Sequence, residues 1–87
     1  MRVDLFLKLM GITKTRMAAK RLCDGGWVLH GSNPLKPSFE LQGGEDLLVK
    51  LPMREMMFRV AALPPGKSVS KPDRAKFLEV LSITEIQ

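Results

Sequence analysis

Apolar residues at the start of the chain recur at helical spacing: Val3, Phe6, Leu7 and Met10 follow the i, i+3, i+4, i+7 pattern of one helix face. The pattern predicts a short helix ending before Gly11, with Asp4 in the first turn, where a carboxylate offsets the helix dipole. Ile12, Thr15, Ala18, Ala19, Leu22 and Cys23 then fall within about 140° on a helical wheel, which predicts a second helix capped by Thr13. Lys14, Arg16, Lys20 and Arg21 occupy the remaining arc. Gly25 and Gly26 supply the stop, because the residue past a helix end commonly takes a positive φ that glycine adopts at little cost.

From Trp27 the period changes. Trp27 to His30, Gly31-Ser32 and Asn33 to Leu35 read as a tight hairpin, and glycine in the first central position suits a type II′ turn. Gly43-Gly44 punctuates the chain, Leu47 to Leu51 is a β-rich run stopped by Pro52, and Met56 to Ala61 is another. Pro64, Pro65 and Gly66 open a polar loop; Ser70, Pro72 and Asp73 mark a helix start that runs to about Phe77. Leu78 to Ile83 fits helix or strand. The order of elements predicts an α+β fold.

Length narrows this further. A chain of 87 residues buries only about 60% of its unfolded surface and supports one core. The longest apolar runs, Leu47 to Val49 and Val60 to Leu63, fall far short of the roughly 18 residues that span a bilayer, so no membrane partner is expected. Asp4 and Lys8 interrupt the apolar stretch a signal peptide would need, and one cysteine rules out an internal disulfide or a multi-cysteine zinc site. The expected location is the cytoplasm, and the expected free state is a monomer.

Side chains suited to catalysis are few. His30 and Cys23 are each the sole member of their type, and free cysteine is among the most buried residues, so a Cys-His nucleophile is set aside. Gly66-Lys67-Ser68 resembles the end of a phosphate-binding loop, but Ala61 stands where its first glycine belongs. Glu45 and Asp46 are adjacent, which in a strand sends them to opposite faces, and they read as turn charges. Met53, Met56 and Met57 read as core filling. No cofactor, metal or catalytic residue is expected.

Charge is the informative feature. Residues 1 to 36 hold seven bases, Arg2, Lys8, Lys14, Arg16, Lys20, Arg21 and Lys36, against Asp4 and Asp24, whereas residues 37 to 87 hold seven of each sign. The formal charge of +5 thus sits in the first two fifths of the chain, a directional field that points to an anionic partner. Arg16 and Lys20 lie one helical turn apart, flanked by Lys14 and Arg21. Arginine grips phosphate in a planar fork and lysine acts as a point charge, so such a face suits a nucleic-acid backbone. Aromatic residues make up 6% of the chain, which disfavours a base-stacking platform and favours readout of shape and phosphate.

These residues resemble a known family. Met1-Arg2-Val3-Asp4 with Phe6-Leu7, Lys14-Thr15-Arg16 with Ala19-Lys20, Gly26-Trp27-Val28, Lys36-Pro37-Ser38 and Gly44-Glu45-Asp46-Leu47 are similar, in order, to the S4-type RNA-binding domain. The match covers roughly residues 1 to 51. It departs at Gly31-Ser32, where the family commonly has Asn-Gly, and at Gly44-Glu45, where it has Gly-Asp; neither touches the basic face.

The resemblance implies two N-terminal helices packed on a small, mainly antiparallel sheet, the αL motif of that family. Residues 1–63 are expected to form that domain, and residues 64–87 a short helical C-terminal extension packed on it. Arg2, Lys14, Arg16, Lys20 and Lys36 match basic positions of the motif and form the implied RNA-contacting set; Lys8 and Arg21 join it on charge alone.

Among S4-type proteins the chain is similar to short stand-alone members, the heat-shock protein 15 and ribosome quality-control factor P families. That likeness implies contacts with large-subunit ribosomal RNA and proteins, and with tRNA, on subunits that retain a nascent chain. An S4-type accessory domain serving a separate RNA-modifying enzyme is the alternative, and a protein adaptor using the methionine-rich second half is a third reading.

Overall fold

The computed structural model describes residues 1–86. Two helices, α1 (Val3–Leu9) and α2 (Arg16–Asp24), precede strands β1 (Val28–His30), β2 (Asn33–Pro34), β3 (Asp46–Leu51) and β4 (Arg54–Val60). A 3₁₀ helix (Lys71–Lys76) and strand β5 (Leu78–Glu85) follow. The strands form one antiparallel sheet in the order β2-β1-β3-β4-β5.

The periodicities explain the packing. Val3, Phe6 and Leu7 of α1 are fully buried, and α2 contributes Ala19 and Cys23. Alternation along β3 and β4 sends Leu47, Val49, Phe58 and Val60 into the same core, where the rings of Phe6 and Phe58 stack with centroids 6.3 Å apart. The first N–H groups of α1 are met by an irregular segment: Val3 donates to the Phe39 carbonyl at 2.9 Å and Asp4 to that of Pro37 at 3.3 Å.

Two turns follow the sequence. The Gly26 N–H bonds the Cys23 carbonyl and the Trp27 N–H bonds that of Leu22, both at 3.0 Å, a Schellman end with Gly26 at φ +80°. Gly31 has φ +63° and no described residue other than glycine has positive φ, which makes the β1–β2 turn type II′.

The start of α2 differs from expectation. Thr15, not Thr13, is the cap: its side chain accepts the Ala18 N–H at 3.0 Å, while the buried Thr13 donates its hydroxyl to the Thr15 carbonyl at 2.9 Å. Lys14 therefore lies in the connection before the helix and not on its arc.

The last stretch is strand. Leu78, Val80 and Ile83 pair with Val60, Phe58 and Met56, so they share the core-side face, and Leu81 is the extra residue of a bulge. The helices do not reach this far, which leaves Val80 and Ile83 each 48% exposed. The expected short helix is present as the 3₁₀ turn, and Val69, Phe77 and Leu78 pack against the core.

Candidate nucleic-acid interface

Asp4 organises the basic surface. Its carboxylate is 3% exposed and accepts the Leu5 N–H at 2.8 Å, which fixes its direction at the start of α1. Arg2 grips it with Nε at 3.2 Å and Nη2 at 3.1 Å. Arg16, from the first turn of α2, approaches the same carboxylate at 3.5 Å. Both arginine side chains stay roughly half exposed, at 42% and 48%, with Arg2 hydrogen-bonded to the carboxylate through one edge and Arg16 ion-paired with it through Nε. One acid cannot neutralise two arginines, and the pair retains a net positive charge.

Arg2, Arg16 and Lys20 line a hollow of about 270 Å³ with Asp4 in its wall. Asp24 stands one turn beyond Lys20 but forms no ion pair with it. Lys36 is exposed immediately before the 37–39 segment that receives the N-terminal N–H groups of α1.

The seven sequence-predicted residues do not form one patch. Lys8 and Lys14 line a separate cleft of about 350 Å³, because Lys14 precedes α2. Arg21 lines a third hollow with Thr13, Ala18, Leu22 and Trp27, which adjoins the cleft of Lys8 and Lys14 at Thr13. The anticipated arc of Lys14, Arg16, Lys20 and Arg21 is thereby divided, with only Arg16 and Lys20 sharing a hollow.

Two features escaped the sequence reading. Trp27 is 50% exposed and lines shallow hollows with Arg21 on one side and Lys50 on the other. Arg74 reaches the cleft of Lys8 and Lys14 from the 3₁₀ helix, although it belongs to the electrically neutral half of the sequence. A count of charge along the chain has no access to that folding back.

Several of the other charged groups hold structure. Glu45 accepts the N–H groups of Gln42 at 2.6 Å and Gly43 at 2.8 Å. Burial opposes its ionisation, but those donors outweigh it and hold the carboxyl below its ordinary range. Arg59 pairs with Asp46 at 2.8 Å and with Glu79 at 3.6 Å, and Lys76 with Asp73 at 3.1 Å. Burial, then the nearby Asp4 and Asp24, push the Cys23 thiol up to about 11, so it carries no thiolate near neutrality. His30 is exposed on the hairpin, with its ring 6.4 Å from that of Phe39.

Among solved structures the chain resembles the trimeric structure of Vibrio cholerae heat-shock protein 15, with a TM-score of 0.84, over 94% of this chain and 82% of that one. The chain has the heat-shock protein 15 fold. Sequence identity between the two is 20%, so the likeness is one of architecture. No protein-family model and no curated protein sequence matches the chain. Coverage of 94% carries the heat-shock protein 15 fold beyond the two helices and first strands, into the 3₁₀ helix and β5. The trimeric state of that protein differs from the free monomer expected from this sequence. No helix among the described residues is long and apolar enough to cross a membrane.

Proposed function

We propose that the protein is a non-catalytic RNA-binding protein that acts on structured ribosomal RNA of the large subunit. The observation that carries this reading is the hollow of Arg2, Arg16 and Lys20, in which a buried Asp4 holds two arginine side chains that stay half exposed. An arginine already held by a carboxylate loses less rotamer freedom when it meets a phosphate, and two arginines beside a lysine suit a phosphate-rich ligand. The heat-shock protein 15 fold and the S4-type residue pattern agree with this use. Subunits still holding a nascent chain and tRNA are the proposed target, with large-subunit proteins and tRNA as further contacts, in the cytoplasm.

Copies of the chain are also proposed to associate. Strand β5 is a long free edge, and Val80, Leu81 and Ile83 are exposed on it, a combination that favours pairing with another chain.

Sedimentation of a cell extract through a sucrose gradient, followed by detection of this chain, tests the RNA reading. Co-migration with large subunits that is abolished in the Arg16→Ala, Lys20→Ala double variant is the expected result. Migration free of subunits, together with a co-purifying RNA-modifying enzyme, would replace this reading with the accessory-domain alternative.

A further inference from the structure

The cleft between the α1–α2 connection and the C-terminal extension is built by residues far apart in sequence. Lys8 closes α1, Lys14 leads into α2, and Ser68 and Arg74 come from the extension. Arg74 donates Nε to the Leu9 carbonyl at 3.2 Å, one of the carbonyls left over at the end of α1. Its guanidinium lies against Gly11, where a Cβ would sit 2.4 Å from Nη1. Gly11 has φ +72°, so the backbone at this position favours glycine, and a Cβ there would push the Arg74 guanidinium aside.

That bond leaves the two Nη groups of Arg74 without an acceptor among the described residues, and since no fully buried side-chain nitrogen or oxygen there lacks a partner, these groups are not sealed from solvent. No acid among the described residues lines the cleft. The adjacent Asp73 is engaged elsewhere, by the Ser70 hydroxyl at 3.0 Å and by Lys76 at 3.1 Å. Lys8 and Lys14 form no ion pair among the described residues. Three uncompensated cations and a free serine hydroxyl thus converge on one concavity of about 350 Å³. Holding them together costs repulsion, which an anion offsets.

We infer that this cleft is a second anion site that seats a phosphate group, with Arg74 as its fixed donor and Lys8, Lys14 and Ser68 around it. A planar guanidinium already held at one edge presents its other donors in the fork that matches phosphate oxygens. The phosphate has two possible sources, an RNA backbone or a free phosphate. For RNA the inference rests on the function proposed above; for free phosphate it stands without it.

The test uses the full chain labelled with nitrogen-15, a short double-stranded RNA hairpin and, separately, inorganic phosphate. With RNA as the source, the hairpin moves the amide signals of Gly11, Lys14 and Ser68. Arg74→Gln and Ser68→Glu then each weaken hairpin binding about tenfold. Arg74→Gln also flattens the slope of log affinity against log salt by about 0.7 to 0.9. Ser68 takes no part in the Arg74–Leu9 bond, and urea unfolding of Ser68→Glu checks that its effect is not a loss of stability. With free phosphate as the source, inorganic phosphate saturates the same signals, Ser68→Glu abolishes that response, and hairpin affinity is unchanged in either variant.

The proposal is overturned if neither ligand moves those signals, or if Arg54→Gln on β4 weakens hairpin binding as much as Arg74→Gln. Hairpin binding that depends on Arg16 and Lys20 but not on the cleft, with no phosphate response, would sink the second site and leave the proposed function standing. A phosphate response without any RNA binding would do the reverse.

Discussion

Arg16 Nε lies 3.5 Å from the Asp4 carboxylate, so the first turn of α2 is tied to the first turn of α1 by a buried acid that also holds Arg2. The ion pair joins the two helices at the point where the basic surface begins. Asp4 thus acts on that surface through the arginines it holds.

Replacing Asp4 by asparagine should therefore weaken both the fold and RNA binding. Loss of the buried negative charge, and of one of the two oxygens that Arg2 grips, should cost about 1–3 kcal/mol in urea unfolding. RNA affinity should fall although a negative charge has been removed, a direction opposite to that of simple electrostatics. Asp24→Asn, on the exposed end of α2, should change stability by no more than about 0.5 kcal/mol. An Asp4→Asn variant that binds RNA more tightly than the parent would show that the carboxylate merely repels the ligand.

The double variant Arg16→Ala, Lys20→Ala should keep its fold although it loses the Arg16–Asp4 ion pair, because Arg2 still hydrogen-bonds Asp4, both positions are exposed on a helix and alanine is a good helix former. Its slope of log affinity against log salt should flatten by about 0.7 to 0.9 for each phosphate that the variant no longer neutralises. Arg16→Lys should cost more binding than Lys20→Arg, since a fork is harder to replace by a point charge than the reverse. The matched control is Arg59→Ala, Lys76→Ala, whose charges are already paired with Asp46, Glu79 and Asp73. Equal weakening in both double variants would reduce the effect to net charge.

The extent to which the sequence disclosed this arrangement depended on the range of each interaction. Val3, Phe6, Leu7 and Met10 were readable because helical periodicity is local, and Gly31 specified its turn because a positive φ is a property of one residue. The S4-type motifs supplied Arg2 and Arg16, yet nothing in their spacing disclosed that Asp4 joins them. Thr13 and Thr15 are both competent caps, and the choice was made by tertiary burial of Thr13. Leu78 to Ile83 carried no decisive alternation because the face it shares with Phe58 is uncovered at this edge. Arg74 was invisible for a similar reason: its bond to Leu9 and its approach to Gly11 are set by the path of the whole extension.

Cys23 should resist alkylation in the native state at neutral pH and react once the chain is unfolded. Its pKa is raised from 9.0 to about 11, so the folded state holds the thiol proton more tightly than the unfolded one. The stability linked to this group is fully present below pH 9 and is lost as pH rises towards 11. Urea titrations at neutral and alkaline pH, on the parent and on Cys23→Ala, should show the parent losing more stability at high pH. Rapid alkylation of the folded protein at pH 7 would contradict the buried, protonated thiol.

Light scattering over a range of protein concentration should reveal self-association of the parent. Val80→Thr with Ile83→Thr should weaken it, because threonine keeps the preference for extended backbone while removing apolar surface. The Thr variant should retain the parent's RNA affinity per chain if β5 serves assembly alone. A parent mass that stays monomeric at every concentration would remove the association proposed for this edge.

The bond from Arg74 to the Leu9 carbonyl spans 65 positions, which gives the surface an order of assembly in time. Helices and adjacent hairpins close short loops and form early, whereas this bond requires almost the whole chain to come together. Asp4, Arg2 and Arg16 lie within the first sixteen residues and can be in register while later segments are still searching. On loop-closure grounds the cleft of Lys8, Lys14 and Arg74 is expected to form last. A chain whose final strand has not settled onto β4 would carry the Asp4-centred hollow without its neighbour, and its grip on an anion would report how far folding had gone.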